Sequence, residues 1–223
     1  MCLPAYCWAK VIQMKEFIKK QLSPYYKIKK KNQEQNFRKR LSILQGDPIK
    51  VVIGSGGIYE KDWIPSEAHF LNLLDESTWI KYFQENEIQY LLAEHVWEHL
   101  TLDQGKIASD ICYKYLRNGG RLRVAVPDGF HKDQKYIDYV KPGGSGAGAD
   151  DHKVLYNYET LSSVFTESGF EVELLEYFDS KKQFHGNKWG IDQGYVRRSL
   201  EHDKRNASGE PNYTSLIVDA IKI

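Results

Sequence analysis

No apolar run in this sequence reaches 18 uninterrupted residues, so no segment is expected to span a bilayer as a helix. Cysteine is scarce and odd in number: Cys2, Cys7 and Cys112 are the whole set. That excludes a disulfide scaffold, fits a reducing cytosol, and offers no clustered thiols for a metal. The start, Met1 to Trp8, lacks a basic stretch and a long apolar one, so no secretory leader is expected. The sequon Asn206-Ala207-Ser208 should then stay bare. There is no excess of charge either: 31 Lys and Arg face 30 Asp and Glu. What is present is ordinary for a soluble globular protein, with 41% hydrophobic and 27% charged residues in 223. The length suits one domain with a full-sized core, or a domain plus an arm.

The near-zero net charge hides an asymmetry. Residues 1–50 hold 12 Lys and Arg against 3 Asp and Glu, a balance of +9, which leaves −8 for the remainder. Within the basic stretch, Val11, Met14, Ile18 and Leu22 fall near one face at helical spacing, with Lys15 and Lys19 encroaching on it. Two readings stand: an arm that touches an anionic membrane surface or a polyanionic substrate, and a solvated helix packed on the domain. Nucleic acid is not expected as a partner, because the rest of the chain is acidic and no interleaved aromatic and basic motif occurs. The division is a basic arm over 1–48 and one domain over 49–223. The expected location is the cytoplasm, with the arm offering peripheral contact to the inner membrane face.

From residue 49 onward, strand and helix patterns alternate. Ile49 to Ile53, Ile88 to Ala93, Arg121 to Pro127, Val172 to Phe178 and Tyr213 to Ile223 read as strands, being rich in β-branched and other apolar residues. Helices are predicted over Ser77 to Gln84, Asp103 to Arg117 and Tyr156 to Ser168. The second is expected to stop at Asn118-Gly119-Gly120 and the third at Gly169. This alternation predicts an α/β, mainly parallel sheet with helices on both faces. Ligands of such sheets bind beyond the carboxyl ends of the strands, which directs attention to the residues after Ile53, Ala93 and Val126.

After Ile53 comes Gly54-Ser55-Gly56-Gly57, where a backbone without Cβ atoms can turn sharply or approach a ligand. The next acid at a plausible strand end, Glu67, follows Gly57 too soon for an intervening helix, whose N-terminus would hold a pyrophosphate. A cofactor without phosphates loses little by that, which favours S-adenosylmethionine over a dinucleotide. After Ala93 comes Glu94-His95-Val96-Trp97-Glu98-His99-Leu100. His95-Val96-Trp97-Glu98-His99 spells the H-x-x-E-H pattern of a zinc hydrolase, which needs a helix extending to both sides. Here a strand precedes it and Thr101 caps a new helix after it.

The segment Ile88 to Leu100, the helix behind it, and Leu116-Arg117-Asn118-Gly119-Gly120-Arg121-Leu122-Arg123-Val124-Ala125-Val126-Pro127-Asp128 together resemble class I S-adenosylmethionine-dependent methyltransferases. They are most similar to a small group of predicted bacterial methyltransferases, and the resemblance spans about residues 49–223. It implies a Rossmann-like sheet of seven strands with the last antiparallel, and S-adenosyl-L-methionine as cofactor. By the same resemblance, Gly54, Ser55, Gly56 and Gly57 lie against the aminoacyl and ribose parts of the cofactor. Glu67 accepts from the ribose hydroxyls, and Asn72 and Leu73 border the adenine. Glu94 and His95 face the methionine end, and Glu98 and His99 brace the next helix. The chain departs from the family pattern in its Gly-Ser-Gly-Gly bend and in a reduced or missing first crossover helix.

Methyl transfer needs a placed nucleophile and, for a hydroxyl or amine acceptor, a base. Rim candidates are Asp128 and His152 first, then His131 and Asp151, each open to a plain capping role. The Gly-rich segment 142–149 reads as a lid or as a slack connection. Residues 179–212 form a long polar insertion in which Arg197 and Arg198 suit an acidic group on the substrate. The expectation is a methyltransferase acting on a small molecule or a glycan or cell-envelope precursor, with no metal. A zinc hydrolase using His95, Glu98 and His99 and a non-catalytic cofactor-binding scaffold stand as alternatives.

Overall fold

The computed structural model describes residues 5–44 and 46–223, with side chains from residue 23 onward. Helix α1 (Ala5–Ser42) carries the basic segment through Pro24. The proposed apolar stripe of Val11, Met14, Ile18 and Leu22 lies outside the described side chains. Further along α1, Phe37 is fully buried against the rings of Phe70, Tyr82 and Phe83, at centroid distances of 5.1, 5.0 and 5.9 Å. Tyr82 Oη donates to Glu34 on the same helix at 2.7 Å. The last turns of α1 therefore share the main core, while Tyr25, Tyr26 and Ile28 stand exposed. No helix among the described residues is long and apolar enough to cross a membrane.

The sheet has seven strands: β1 (Lys50–Val52), β2 (Ile64–Pro65), β3 (Ile88–Glu94), β4 (Leu116–Pro127), β5 (Glu171–Phe178), β6 (Phe184–Gly186) and β7 (Ser215–Ile221). Their spatial order is β2-β1-β3-β4-β7-β5-β6. The first four run parallel, β7 is inserted antiparallel between β4 and β5, and β6 turns back along β5. This is the expected Rossmann-like, mainly parallel α/β sheet of seven strands, with its last strand reversed. No helix forms between β1 and β2, so the first crossover is reduced to turns. The edge strand β6 was not foreseen; it arises inside the 179–212 insertion.

The remaining helices are α2 (Glu76–Trp79), α3 (Leu102–Tyr115), α4 (Gln134–Val140) and α5 (Tyr158–Thr166). Helix α3 begins with a capping box in which Thr101 and Gln104 satisfy each other's backbone amides. It ends before the predicted stop, because Leu116 already turns extended and pairs with Ile88. Asn118-Gly119-Gly120 is then an irregularity within β4, not a helix cap. Gly119, at φ +72°, donates its N–H to Lys222 O at 2.7 Å.

Alternation along the strands sends Leu91, Val124 and Val218 to a core formed with α1, α3 and α5. Leu92, Ala125 and Ile217 point the other way, onto Trp63 and Val196, with Trp189 packed against them. Among the described residues that second cluster holds no helical residue, which corrects the expectation of helices on both faces. Loop segments cover it because the β1–β2 crossover has no helix to offer. On the same face Arg123 and Asp219, paired across β4 and β7, are both fully buried. Arg123 Nε and Nη2 bond the Asp219 oxygens at 2.7 and 2.8 Å, and Nη1 donates to the carbonyls of Gly190 and Gly194 at 2.8 and 2.7 Å. The pair and its carbonyl contacts fasten the insertion to the sheet. Asn206 is buried there too, its amide donating to Ser199 O and Tyr213 O, so the sequon is closed to modification.

Arg123→Ala strands Asp219 next to Arg121 alone and releases two carbonyls. The expected loss is about 3–5 kcal/mol in urea unfolding, with Trp189 fluorescence reporting detachment of the insertion before the sheet melts.

Candidate active site

The site lies where β1, β3 and β4 end. Beyond β1 the chain enters the glycine bend, with Gly54 at φ +61° and Gly56 at φ +58°. Both angles are costly for a residue with a Cβ. At Gly54 an added Cβ would also meet Val96 Cγ2 at 3.1 Å. Ser55 closes the bend: its Oγ accepts from Gly57 N at 3.1 Å and donates to Glu67 Oε1 at 3.0 Å. Beyond β3, His95 sits at φ +57°, a left-handed turn that non-glycine residues adopt rarely and often at functional positions. Its Nδ1 lies 2.8 Å from Glu98 Oε1 and its Nε2 3.2 Å from Ser215 Oγ.

Three adjoining cavities share His95. The first, about 160 Å³, is lined by Gly54, Ser55, Glu94, His95, Arg197 and Arg198 among others. The second, about 290 Å³, runs past Asn72, Leu73 and Val96. The third, about 180 Å³, is lined by Glu98, His99, His152, Tyr139, Arg198 and Tyr213 among others, with Gly146 and Ala147 of the Gly-rich segment on its wall. A fourth space of about 720 Å³ separates the glycine bend from α1; Glu67 and Gly57 line one side, Gln33, Lys39 and Arg40 the other.

The fold thus gathers Gly54, Ser55, Asn72, Leu73, Glu94, His95, His152, Arg197 and Arg198 around one cleft. Arg197 Nη1 reaches Glu94 Oε2 at 3.4 Å, and the Arg198 amide donates to Glu94 Oε1 at 2.9 Å. The insertion therefore closes over the end of β3. Gly57 and Glu67 stand slightly apart, facing α1, with Gln33 Nε2 at 3.4 Å from Glu67. Asp151 is exposed on the rim, 3.3 Å from His99 Nδ1 and held by Lys153 at 3.0 Å. Asn72 braces its own turn, its Oδ1 accepting from Leu74 N at 3.0 Å.

Asp128 and His131 are placed otherwise. Asp128 is 1% exposed, and its two oxygens accept from the amides of Phe130 and Phe178 at 2.8 and 2.7 Å. His131 is fully buried, stacked on Tyr136, with its ring nitrogens on Pro211 O and Asp133 N. Neither lines the three cavities. Their bonds tie the end of β4 to β5 and to the approach to β7. Burial pushes the Asp128 carboxyl up to about 6 against the pull of its two amide donors, and burial holds the His131 imidazole below its ordinary value. Cys112 is buried as well, and burial raises its thiol far above the ordinary range, as an inert core residue requires.

The helical zinc motif is not formed. Trp97–His99 is a single 3-10 turn, and His95 precedes it in a left-handed conformation with Nδ1 engaged by Glu98. A different set converges instead: Glu98, His99 and His152 each bring one ligand-type atom within 4.8 Å of the other two. Only its first two members adjoin in sequence. His152 joins them because the Gly-rich segment folds back under Val140, and nothing in the local sequence marks that.

No family model matches the chain, and no curated protein matches it. Among solved structures it is similar to a SAM-dependent methyltransferase from Archaeoglobus fulgidus, at 14% identity over 92% of each chain and a TM-score of 0.44. It is also similar to a SAM-dependent methyltransferase from Thermotoga maritima, at 13% identity over 93% of this chain and 99% of that one, with a TM-score of 0.46. A third, from Mesorhizobium loti, has 10% identity over 82% and 95% and a TM-score of 0.46.

The Asp128 carboxyl supplies a pH test. Its folded value lies above the unfolded one, near 3.9, so the folded state binds the proton more tightly. The contribution of this group to stability then falls as pH rises from about 4 to about 6, by at most about 1.4 kcal/mol per pH unit. Asp128→Asn removes that slope, so the stability difference should shift in favour of the variant across this window. An unchanged difference in denaturant melts at pH 4 and 6 contradicts the assignment.

Proposed function

We propose that this chain is an S-adenosyl-L-methionine-dependent methyltransferase of class I type, acting on a small molecule or a glycan or cell-envelope precursor. The observation that carries the reading is the glycine bend at the end of β1, followed by turns and no helix. A dinucleotide would lose the helix N-terminus that holds its pyrophosphate. A sulfonium nucleoside has no phosphate and needs only close backbone, a carboxylate for its ribose and a shaped wall for its base. Gly54 to Gly57 supply the first, Glu67 the second, and the cavity past Asn72 and Leu73 the third. Glu94 and His95 meet the methionine end.

In this reading the cofactor supplies an activated methyl group, and the protein's part is placement and exclusion of water. The third cavity, beyond His95, takes the acceptor. His152 donates its Nδ1 proton to Val140 O at 2.7 Å, which leaves Nε2 with its lone pair free to take a proton from a hydroxyl or amine. The base role therefore falls to His152, and Asp128 and His131 serve as struts. Arg198 lines both the cofactor and acceptor cavities, so Arg197 and Arg198 suit an acidic acceptor. The division into an arm (1–48) and a domain (49–223) belongs to the same proposal. The exposed Lys27 to Lys31 stretch suits weak contact with an anionic membrane surface and a cytoplasmic location.

Titration calorimetry with S-adenosylhomocysteine tests this directly. The wild-type chain should bind it, and Glu67→Ala should weaken binding at least about tenfold, as loss of a charge-assisted bond of about 1.5–3 kcal/mol implies. Gly54→Ala should abolish it. No heat from the wild-type chain sinks the proposal. Binding without turnover across hydroxyl, amine and carboxylate acceptors would favour the non-catalytic scaffold. Given an acceptor, unchanged turnover in Arg197→Ala/Arg198→Ala would remove their role.

A further inference from the structure

Glu98, His99 and His152 converge on one point with polar atoms left unpartnered. Glu98 is 1% exposed. Its Oε1 is engaged by His95 at 2.8 Å, but its Oε2 is buried with no hydrogen-bond partner. A buried carboxylate oxygen left without a donor is costly, and native proteins almost always satisfy it. His99 Nδ1 is also buried without a hydrogen bond; Asp151 lies 3.3 Å away, outside bonding geometry. His152 is oriented as ligating histidines are. A carbonyl can only accept, so Nδ1 carries the proton toward Val140 O, and Nε2 presents its lone pair. His95 holds Glu98 from behind, as an outer partner holds a ligating carboxylate.

From these groups the geometry points to a binding site for one divalent cation of the zinc type, ligated by Glu98, His99 and His152. Each of the three residues already brings one ligand-type atom within 4.8 Å of those of the other two. Bonds of about 2.0–2.2 Å to a common ion place ligand atoms roughly 3–3.5 Å apart, so small side-chain rotations close the set. Two imidazoles and one carboxylate select a borderline transition ion over magnesium or calcium, which prefer oxygen. The ligands occupy part of the first coordination shell and leave positions open to the 180 Å³ cavity. That opening makes the centre one for holding a ligand.

The use of such an ion rests on the methyltransferase reading; the binding does not. The cavity adjoins the cofactor cleft through His95, so an ion there would grip an oxygen-bearing acceptor. Where the ion is bound, His152 holds it and no longer takes the acceptor's proton. This set differs from the His95, Glu98 and His99 of the sequence motif: His95 stands behind Glu98, and His152 takes its place.

The test is zinc titration of the full chain after chelator treatment, followed by calorimetry and by the visible absorption of a cobalt(II) substitute. One equivalent is expected. His152→Gln should weaken binding by more than about tenfold, the low end for disturbing even an outer ligand partner. Glu98→Gln should do the same, but its burial endangers folding, so His152→Gln carries the test. Magnesium chloride should bind far more weakly. No zinc uptake, equal affinity in His152→Gln, or equal affinity for magnesium would each overturn the site. A parallel titration with S-adenosylhomocysteine separates the two ideas. Nucleoside binding without zinc removes the metal centre alone, and zinc binding without the nucleoside keeps the centre and removes the methyltransferase reading.

Discussion

The buried pairing of Arg123 with Asp219 is the constraint on which the cleft depends. Two neighbouring strands of opposite direction put a cation and an anion face to face where neither meets water. Burial of each charge is tolerable only with full hydrogen bonding, and here the surplus donors of Arg123 go to Gly190 and Gly194 of the insertion, with its guanidinium 4.7 Å from the Trp189 ring centroid. A polar segment with little apolar content of its own thereby gains a fixed seat. From that seat the chain runs on to Arg197 and Arg198, which lie over Glu94 at the end of β3.

The opposite wall is built from backbone rather than charge. Gly54 and His95 both leave their strands in the left-handed region, one at no steric cost and one against it. The two bends aim a glycine surface and an imidazole into the same space. His95 then lines all three adjoining cavities of the cleft and joins them. The Gly-rich segment 142–149 packs as a wall of the third cavity, its Gly146 amide bonded to Tyr139 O at 2.8 Å.

Much of the framework was legible in the chain. The β-branched runs at 49–53 and 121–127 and the capping residues before α3 are short-range signals; β1 and α3 follow them closely, while β4 ends as expected at Pro127 but begins already at Leu116. Other signals were ambiguous locally. Asn118-Gly119-Gly120 reads locally as a helix stop, and pairing of Leu116 with Ile88 makes it an irregularity within β4 instead. Asp128 and His131 read as rim residues because they follow a strand end. The packing of β5, Pro211 and Tyr136 around them turns both into buried struts.

The sequence by itself determined the alternation of strand and helix, the glycine bend without room for a helix behind it and the presence of acids and histidines just past the strand ends, since each is written in residues close together along the chain. Only the tertiary structure decided which of those side chains meet. His152 joins Glu98 and His99, Arg197 joins Glu94, and the insertion becomes a cover, because each contact is closed by packing between residues dozens of positions apart. No local periodicity encodes such a distance.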